Sequence, residues 1–227
     1  MKNVASAKKM ISTTLSRWAR PVLMAAFGLA CLVWLSGCAT GRYSNVTDFN
    51  TVVIDAGHGG HDSGAFSRGR KARVLEKDLA LDVALRLEVR LKDAGFRTVM
   101  TRRSDRFIPL DERSRIANSY RKSVFVAIHF NDTRRRSIHG AEVYHNGRGT
   151  WELAGRMERY LAAMPGGANR GVKTARFHVL RCSDGPALLV ECGYLSNATE
   201  AAHCASAVWR EIAADRLAQA IIAQRRN

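Results

Sequence analysis

Thr51-Val52-Val53-Ile54-Asp55-Ala56-Gly57-His58-Gly59-Gly60 is a β-branched run that breaks into a glycine-rich turn, and its reading decides the fold. A short apolar run ending in such a turn is a buried strand. Downstream, Leu75, Leu79, Val83, Leu87 and Leu91 recur every four residues, an apolar helical face with Gly95 placed to end it. Phe96–Thr101 reads as the next strand and Pro109–Tyr120 as the next helix, with Pro109 near its first turn. Ser123–His129 and Ala141–Tyr144 read as strands, Trp151–Met164 as a helix, and Arg176–Leu180 and Ala187–Glu191 as strands. Asn197 with Glu200 three residues on is a helix-cap pattern, and Val208–Ile222 carries the last amphipathic helix. This alternation predicts an α/β chain, a single-domain three-layer sandwich whose mostly parallel, twisted sheet has helices on both faces.

Chemistry-bearing residues fall at one end of that frame. His58 lies just past the end of the first strand, His129 closes another, and Glu191 closes a third. Glu76 sits in the first turn of the helix that begins near Leu75, from which a side chain reaches back over the same edge. In open α/β sheets that edge is where ligands bind. Two imidazoles and one carboxylate on Zn²⁺ leave a position open for water, the arrangement of hydrolytic rather than structural zinc. His58, Glu76 and His129 are therefore candidate metal ligands for one Zn²⁺, with Glu191 as a catalytic carboxylate beside it. Asp55 and Asn131 are candidates to orient the imidazoles. Arg113 and Arg115 have two readings, as binders of substrate carboxylates or as helix-surface ion pairs. His61 is either an alternative ligand or a solvent-facing loop residue, and His178 is a candidate to line the cleft.

The first 37 residues read as an export signal. Lys2, Lys8, Lys9, Arg17 and Arg20 precede an apolar run, Val22–Leu35, too short for a comfortable membrane span of roughly 20 residues. Leu35-Ser36-Gly37-Cys38 ends the run and resembles a bacterial lipobox, which implies lipidation of Cys38 and a membrane anchor. Ala39 at the next position is similar to lipoproteins of the outer membrane, so the expectation is a cell-envelope, periplasm-facing protein. Residues 38–50 read as a polar tether and 51–227 as the catalytic domain. The chain's formal net charge is +16, and residues 38–227 keep +11 once the five signal cations are gone. That excess suits polyanions; for an exported chain these are wall polymers and lipid headgroups, and no nucleic acid is expected. Cys182, Cys192 and Cys204 remain after export, and are read as buried thiols in preference to a Cys182–Cys192 bridge.

Taken together, Ile54–Gly60, Glu76-Lys77-Asp78, Thr101-Arg102, Glu112–Asn118, Ile128–Asn131, Arg170-Gly171-Val172-Lys173 and Leu189–Asn197 resemble the zinc-dependent N-acetylmuramoyl-L-alanine amidases of the family-3 type. The resemblance runs from Thr51 to about Ile222. It implies peptidoglycan as substrate, cut between the lactyl group of N-acetylmuramic acid and L-alanine. It also implies that His58, Glu76 and His129 bind the zinc and that Glu191 is the catalytic carboxylate. Arg113 and Asn131 are the expected substrate contacts. Relatives controlled by partner proteins carry an insertion after the strand matching Ala141–Tyr144 that folds a blocking helix over the zinc; the short spacing here implies no such built-in plug, and leaves any activator unknown. Two rivals share the frame: a non-catalytic wall-binding lipoprotein, and a zinc peptidase cutting within stem peptides.

Overall fold

The computed structural model describes residues 46–67 and 73–225. The expected signal segment and the expected lipidation site, Cys38, lie outside them. The elements run β1 (Thr51–Ala56), α1 (Glu76–Asp93), β2 (Arg97–Met100), α2 (Leu110–Asn118), β3 (Ser123–Asn131), β4 (Ala141–His145), α3 (Trp151–Ala162), β5 (Asn169–Lys173), α4 (His178–Arg181), β6 (Ala187–Tyr194), α5 (Ala198–Ala205) and α6 (Ala207–Arg225). The six strands lie in the order β2-β1-β3-β6-β4-β5. Every neighbouring pair is parallel except β4 with β6. The sheet is thus mostly parallel, as expected.

Helices cover both faces, which is why β1, β3 and β6 are continuous apolar runs instead of alternating ones. On the larger face Val52, Ile54, Val126, Ile128, Leu188 and Val190 pack with the apolar stripe of α1 and with α3 and α6, through Val83, Leu87, Leu153, Met157, Leu217 and Ile221 among others. Each such side chain contributes about 1.5–3 kcal/mol by leaving water. On the second face Val53, Phe125, Ala127, Ala187 and Leu189 meet Ala117 of α2 and Val179 and Leu180 of α4. Asn197 caps α5 by accepting from the Glu200 backbone N–H, as its sequence pattern predicts.

Two sequence expectations need correction. Arg176–Leu180 is not a strand: Val179 and Leu180 are buried by the short helix α4, and the strand of this region is β5. β5 is an edge strand with little buried surface, so Asn169-Arg170-Gly171-Val172-Lys173 has no apolar alternation to reveal it. The expected tether also ends early, because Phe49 is buried and stacks on Phe96 with centroids 5.7 Å apart. The Gln224 side chain donates to the Val46 carbonyl, which joins this segment to α6.

Candidate metal centre

The C-terminal ends of β1, β3 and β6 form one rim. β1 and β3 run in register up to Ala56 opposite Ile128, and β3 and β6 place His129 opposite Glu191. After Ala56 the chain turns through Gly57 into His58, which adopts φ 59°. A left-handed non-glycine residue is strained, by about 1–3 kcal/mol, and here the surroundings hold it. Arg113 Nη2 donates to the His58 carbonyl at 2.7 Å, and Asp62 Oδ2 lies 2.8 Å from His58 Nδ1.

Three donors converge above this turn. His58 Nε2 is 3.0 Å and His129 Nδ1 2.9 Å from the same oxygen, Glu76 Oε1. One ligand atom from each residue lies within 4.8 Å of the others, so the set is able to hold a metal ion. The space around it is kept by absent side chains. A Cβ on Gly57 would stand 2.5 Å from the His129 ring, and one on Gly64 would stand 2.5 Å from Glu76 Oε2 and 2.6 Å from His58 Cδ2. Glu76 is the first residue of α1 and is anchored by backbone N–H donors, Ala65 to Oε2 at 2.8 Å and Phe130 to Oε1 at 3.0 Å. Two imidazoles, a fixed carboxylate and a cleared hollow fit a Zn²⁺ site by donor type and spacing.

The protonation states follow from this crowding. Burial would push the Glu76 carboxyl up, yet the hydrogen bonds and charges of His129 and His58 outweigh it and hold Glu76 well below the carboxylate range. Burial likewise opposes charge on His129, but Glu76 wins and raises it to about 8. A bound dication reverses that balance, because it competes with the proton for the imidazole nitrogens.

Glu191 is the opposite case. Its side chain is buried on the same rim, and Oε2 has no hydrogen-bond partner among the described residues. Burial is the largest cause, and the charges of Glu76 and Glu142 add to it, so its carboxyl is pushed up to about 7. The rim opens into a cleft of about 580 Å³ whose lining includes His58, Glu76, His129, Asn131 and Glu191 and the apolar Phe107, Leu110 and Phe177. His178 lines this cleft as expected, with Nε2 2.6 Å from Asp111 Oδ1.

Several sequence expectations resolve differently. Arg113 is not a helix-surface pair: it lies in the cleft lining, and its buried guanidinium donates to Asp55 Oδ1 and to the carbonyls of Ala56, His58 and Ile108. With Arg102, which donates to the carbonyls of Ala56, Gly57 and Lys77, it braces the turn from below. Arg115 does form the surface pair, with Glu112. Asp55 accepts from Arg113 and Thr101 and makes no hydrogen bond to either histidine among the described residues, and the acid bonded to the His58 ring is Asp62. The four-residue spacing from His58 was the available signal, obscured by His61. His61 is exposed and packs on Phe107 with centroids 4.2 Å apart. Asn131 lines the cleft, with Nδ2 3.5 Å from Glu142. All three described cysteines are free.

An α/β sheet whose rim carries two imidazoles, a carboxylate and a second, unpaired acid has the construction of a metal-dependent hydrolase. The chain matches the N-acetylmuramoyl-L-alanine amidase model of the Amidase_3 family over residues 52–223, and it belongs to that family. It is 38% identical over 175 residues to the N-acetylmuramoyl-L-alanine amidase LytC of Bacillus subtilis, covering 75% of this chain and 34% of LytC. The chain therefore spans about a third of that relative's length. Among solved structures, the catalytic domain of the amidase CwlV from Bacillus (Paenibacillus) polymyxa superposes with a TM-score of 0.71 at 37% identity, over 76% of this chain and 96% of that one. The amidase AmiC2 of Nostoc punctiforme gives 0.73 at 35% identity, over 78% and 97%.

Proposed function

We propose that this protein is a zinc-dependent amide hydrolase that cuts peptidoglycan between the lactyl group of N-acetylmuramic acid and the L-alanine of the stem peptide. The observation that carries the reading is the meeting of His58, Glu76 and His129 around one locus, with the unpaired Glu191 carboxylate on the same rim. His58, Glu76 and His129 are the ligands in this reading. A zinc ion held there supplies Lewis acidity to a carbonyl and lowers the pKa of water from 15.7 to about 7.

The chain's own residues do the rest. Asp62 fixes the His58 ring with Nε2 toward the locus, and Arg113 and Arg102 hold the carbonyls of the turn that carries it. Glu191 accepts a proton from the attacking water and returns it to the departing amine of L-alanine, a task that suits a carboxylate on the same rim whose Oε2 has no hydrogen-bond partner among the described residues. Phe107, Leu110 and Phe177 give the cleft apolar surface on which a substrate can pack.

The N-terminal sequence adds the location. Lipidation at Cys38 would place the domain in the cell envelope, facing the periplasm, on the outer membrane. No helix among the described residues is long and apolar enough to cross a membrane. The reading includes no built-in plug, since residues 146–150 join β4 directly to α3.

The test is digestion of purified peptidoglycan by the purified protein, with and without a chelator, beside Glu191→Gln. The expected products are free peptides beginning with L-alanine and unsubstituted glycan strands. Chelation abolishes release, added Zn²⁺ restores it, and Glu191→Gln binds metal but releases nothing. Peptides lacking L-alanine at their N-terminus would instead identify a stem-peptide peptidase, and intact muropeptides a non-catalytic wall binder.

A further inference from the structure

Arg170-Gly171-Val172-Lys173 takes no part in the centre above, yet β5 carries it to the centre's flank. Glu142 of β4 lies opposite Glu191 of β6, and Tyr144 of β4 lies opposite Lys173 of β5. Opposed residues and alternate residues of a strand share a face, so Glu191, Glu142, Tyr144 and Lys173 form one row across three strands. α3 packs on β4 and β5 from the other face, through Leu153 and Met157 against Val143. Among the described residues no helix packs broadly over this half of the second face. The row forms a shelf that runs outward from Glu191, buried at Glu191 and Glu142 and part-exposed at its outer end, Lys173 and Arg170.

The shelf carries surplus positive charge. Glu142 is 2% exposed in its side chain, whereas Lys173 and Arg170 keep 39% and 30%. Lys173 Nζ at 2.7 Å, Arg170 Nε at 2.9 Å and the Tyr194 hydroxyl at 2.7 Å all donate to Glu142 Oε1. The Tyr144 hydroxyl donates to Oε2 at 2.7 Å. One carboxylate thus answers two cations. Of the other acids nearby, Glu191 makes no hydrogen bond to either cation among the described residues, and Glu158 meets Arg170 through the backbone N–H at 3.2 Å, not through the guanidinium. Arg170 gives Glu142 one of its five N–H donors, and Lys173 gives it one of three. A purely structural pair needs one cation with its donors turned inward. Here two cations are pinned by their inner donors, and both stay part-exposed on the solvent side.

The shelf also adjoins the cleft. Tyr144 meets Phe177 edge to face with centroids 5.0 Å apart, and Phe177 lines the cleft.

We propose that this shelf is the subsite for a carboxylate of the stem peptide, bound by Lys173 and Arg170, with Glu142 as the positioning residue that holds both cations in place. The inference rests on the peptidoglycan reading, because it assumes a peptide whose scissile amide lies at Glu191 and whose acidic groups follow it. A guanidinium and an ammonium side by side match a carboxylate in charge and donor geometry. The subsite therefore selects for peptides with free acids over amidated ones.

The test is steady-state hydrolysis of matched muramoyl peptides whose stem carboxylates are free or converted to carboxamides. The zinc-loaded full chain should cut the free acid with a KM about tenfold below that of the carboxamide, the worth of a charge-assisted hydrogen bond. Lys173→Gln, which leaves Arg170 on Glu142 and so keeps the buried acid paired, should shrink that ratio to about twofold, and Lys173→Arg should restore it. Equal KM values for the two peptides with the wild-type protein, or a full preference kept by Lys173→Gln, would overturn the subsite. Failure of the underlying reading looks different: neither peptide is cut between the lactyl group and L-alanine.

Discussion

Glu191 and Glu142 face each other across β6 and β4, both buried, and the molecule treats them in opposite ways. Burial opposes charge on both. At Glu142 it is overcome by Lys173, Tyr194, Tyr144 and Arg170, which hold the carboxyl down at about 2. At Glu191 no hydrogen bond reaches Oε2, burial prevails, and the carboxyl rises to about 7. Two identical side chains on neighbouring strands are thereby given different work. Deeper burial and a poorer supply of donors together leave Glu191 with a raised carboxyl, whereas the donors around Glu142 hold it as an anion.

That contrast can be broken from either side. Glu191→Gln should have the largest effect, a loss of about 10²–10⁴-fold or more in hydrolysis rate, while its melting temperature stays no lower than wild type. The amide keeps the shape and removes a charge that the site does not solvate. A proportional loss of folded protein would mean that Glu191 is structural and the comparison false. Glu142→Gln should act first on stability, costing about 2 kcal/mol in urea unfolding because two cations lose their counter-ion. Breaking a fully buried pair costs more, and the partial exposure of Lys173 and Arg170 sets the lower figure.

Acid sharpens the same difference. The Glu142 carboxyl is depressed from the ordinary 4.5 to about 2, so the folded state binds its proton less readily than the unfolded chain. Its contribution is fully present above pH 4.5 and is lost as pH falls toward 2. Melting temperatures measured across that window should fall more steeply for wild type than for Glu142→Gln; parallel curves would show that the Glu142 network contributes nothing to acid stability. The smallest effect belongs to Tyr194→Phe, which removes one of the donors to Glu142 Oε1 and should cost about 1 kcal/mol in the same unfolding measurement.

Much of this was legible in the chain, for identifiable reasons. The β-branched run before Gly57 and the four-residue leucine spacing of α1 reflect burial, and burial writes a local period. Glu76 in the first turn of α1 followed from that helix alone. The edge strand β5 left no such trace, and α4 mimicked a strand because Val179 and Leu180 are apolar in a segment too short to display a helical period. Arg113 misleads for a related cause. Its place on α2 beside Glu112 and Arg115 looks like a charged surface, and only the packing of α2 under the β1 turn buries it on Asp55.

The sequence by itself determined which groups are available and, through strand and helix periodicity, that His58, Glu76, His129 and Glu191 end at one sheet edge. Only the tertiary structure decided what surrounds each of them: that Asp62 orients His58, that Arg102 and Arg113 carry the turn, that Glu142 is saturated with donors and Glu191 is not. Periodicity is a property of neighbours along the chain, whereas the electrostatics of a buried carboxylate depends on donors brought from β4, β5 and β6, which no local pattern encodes.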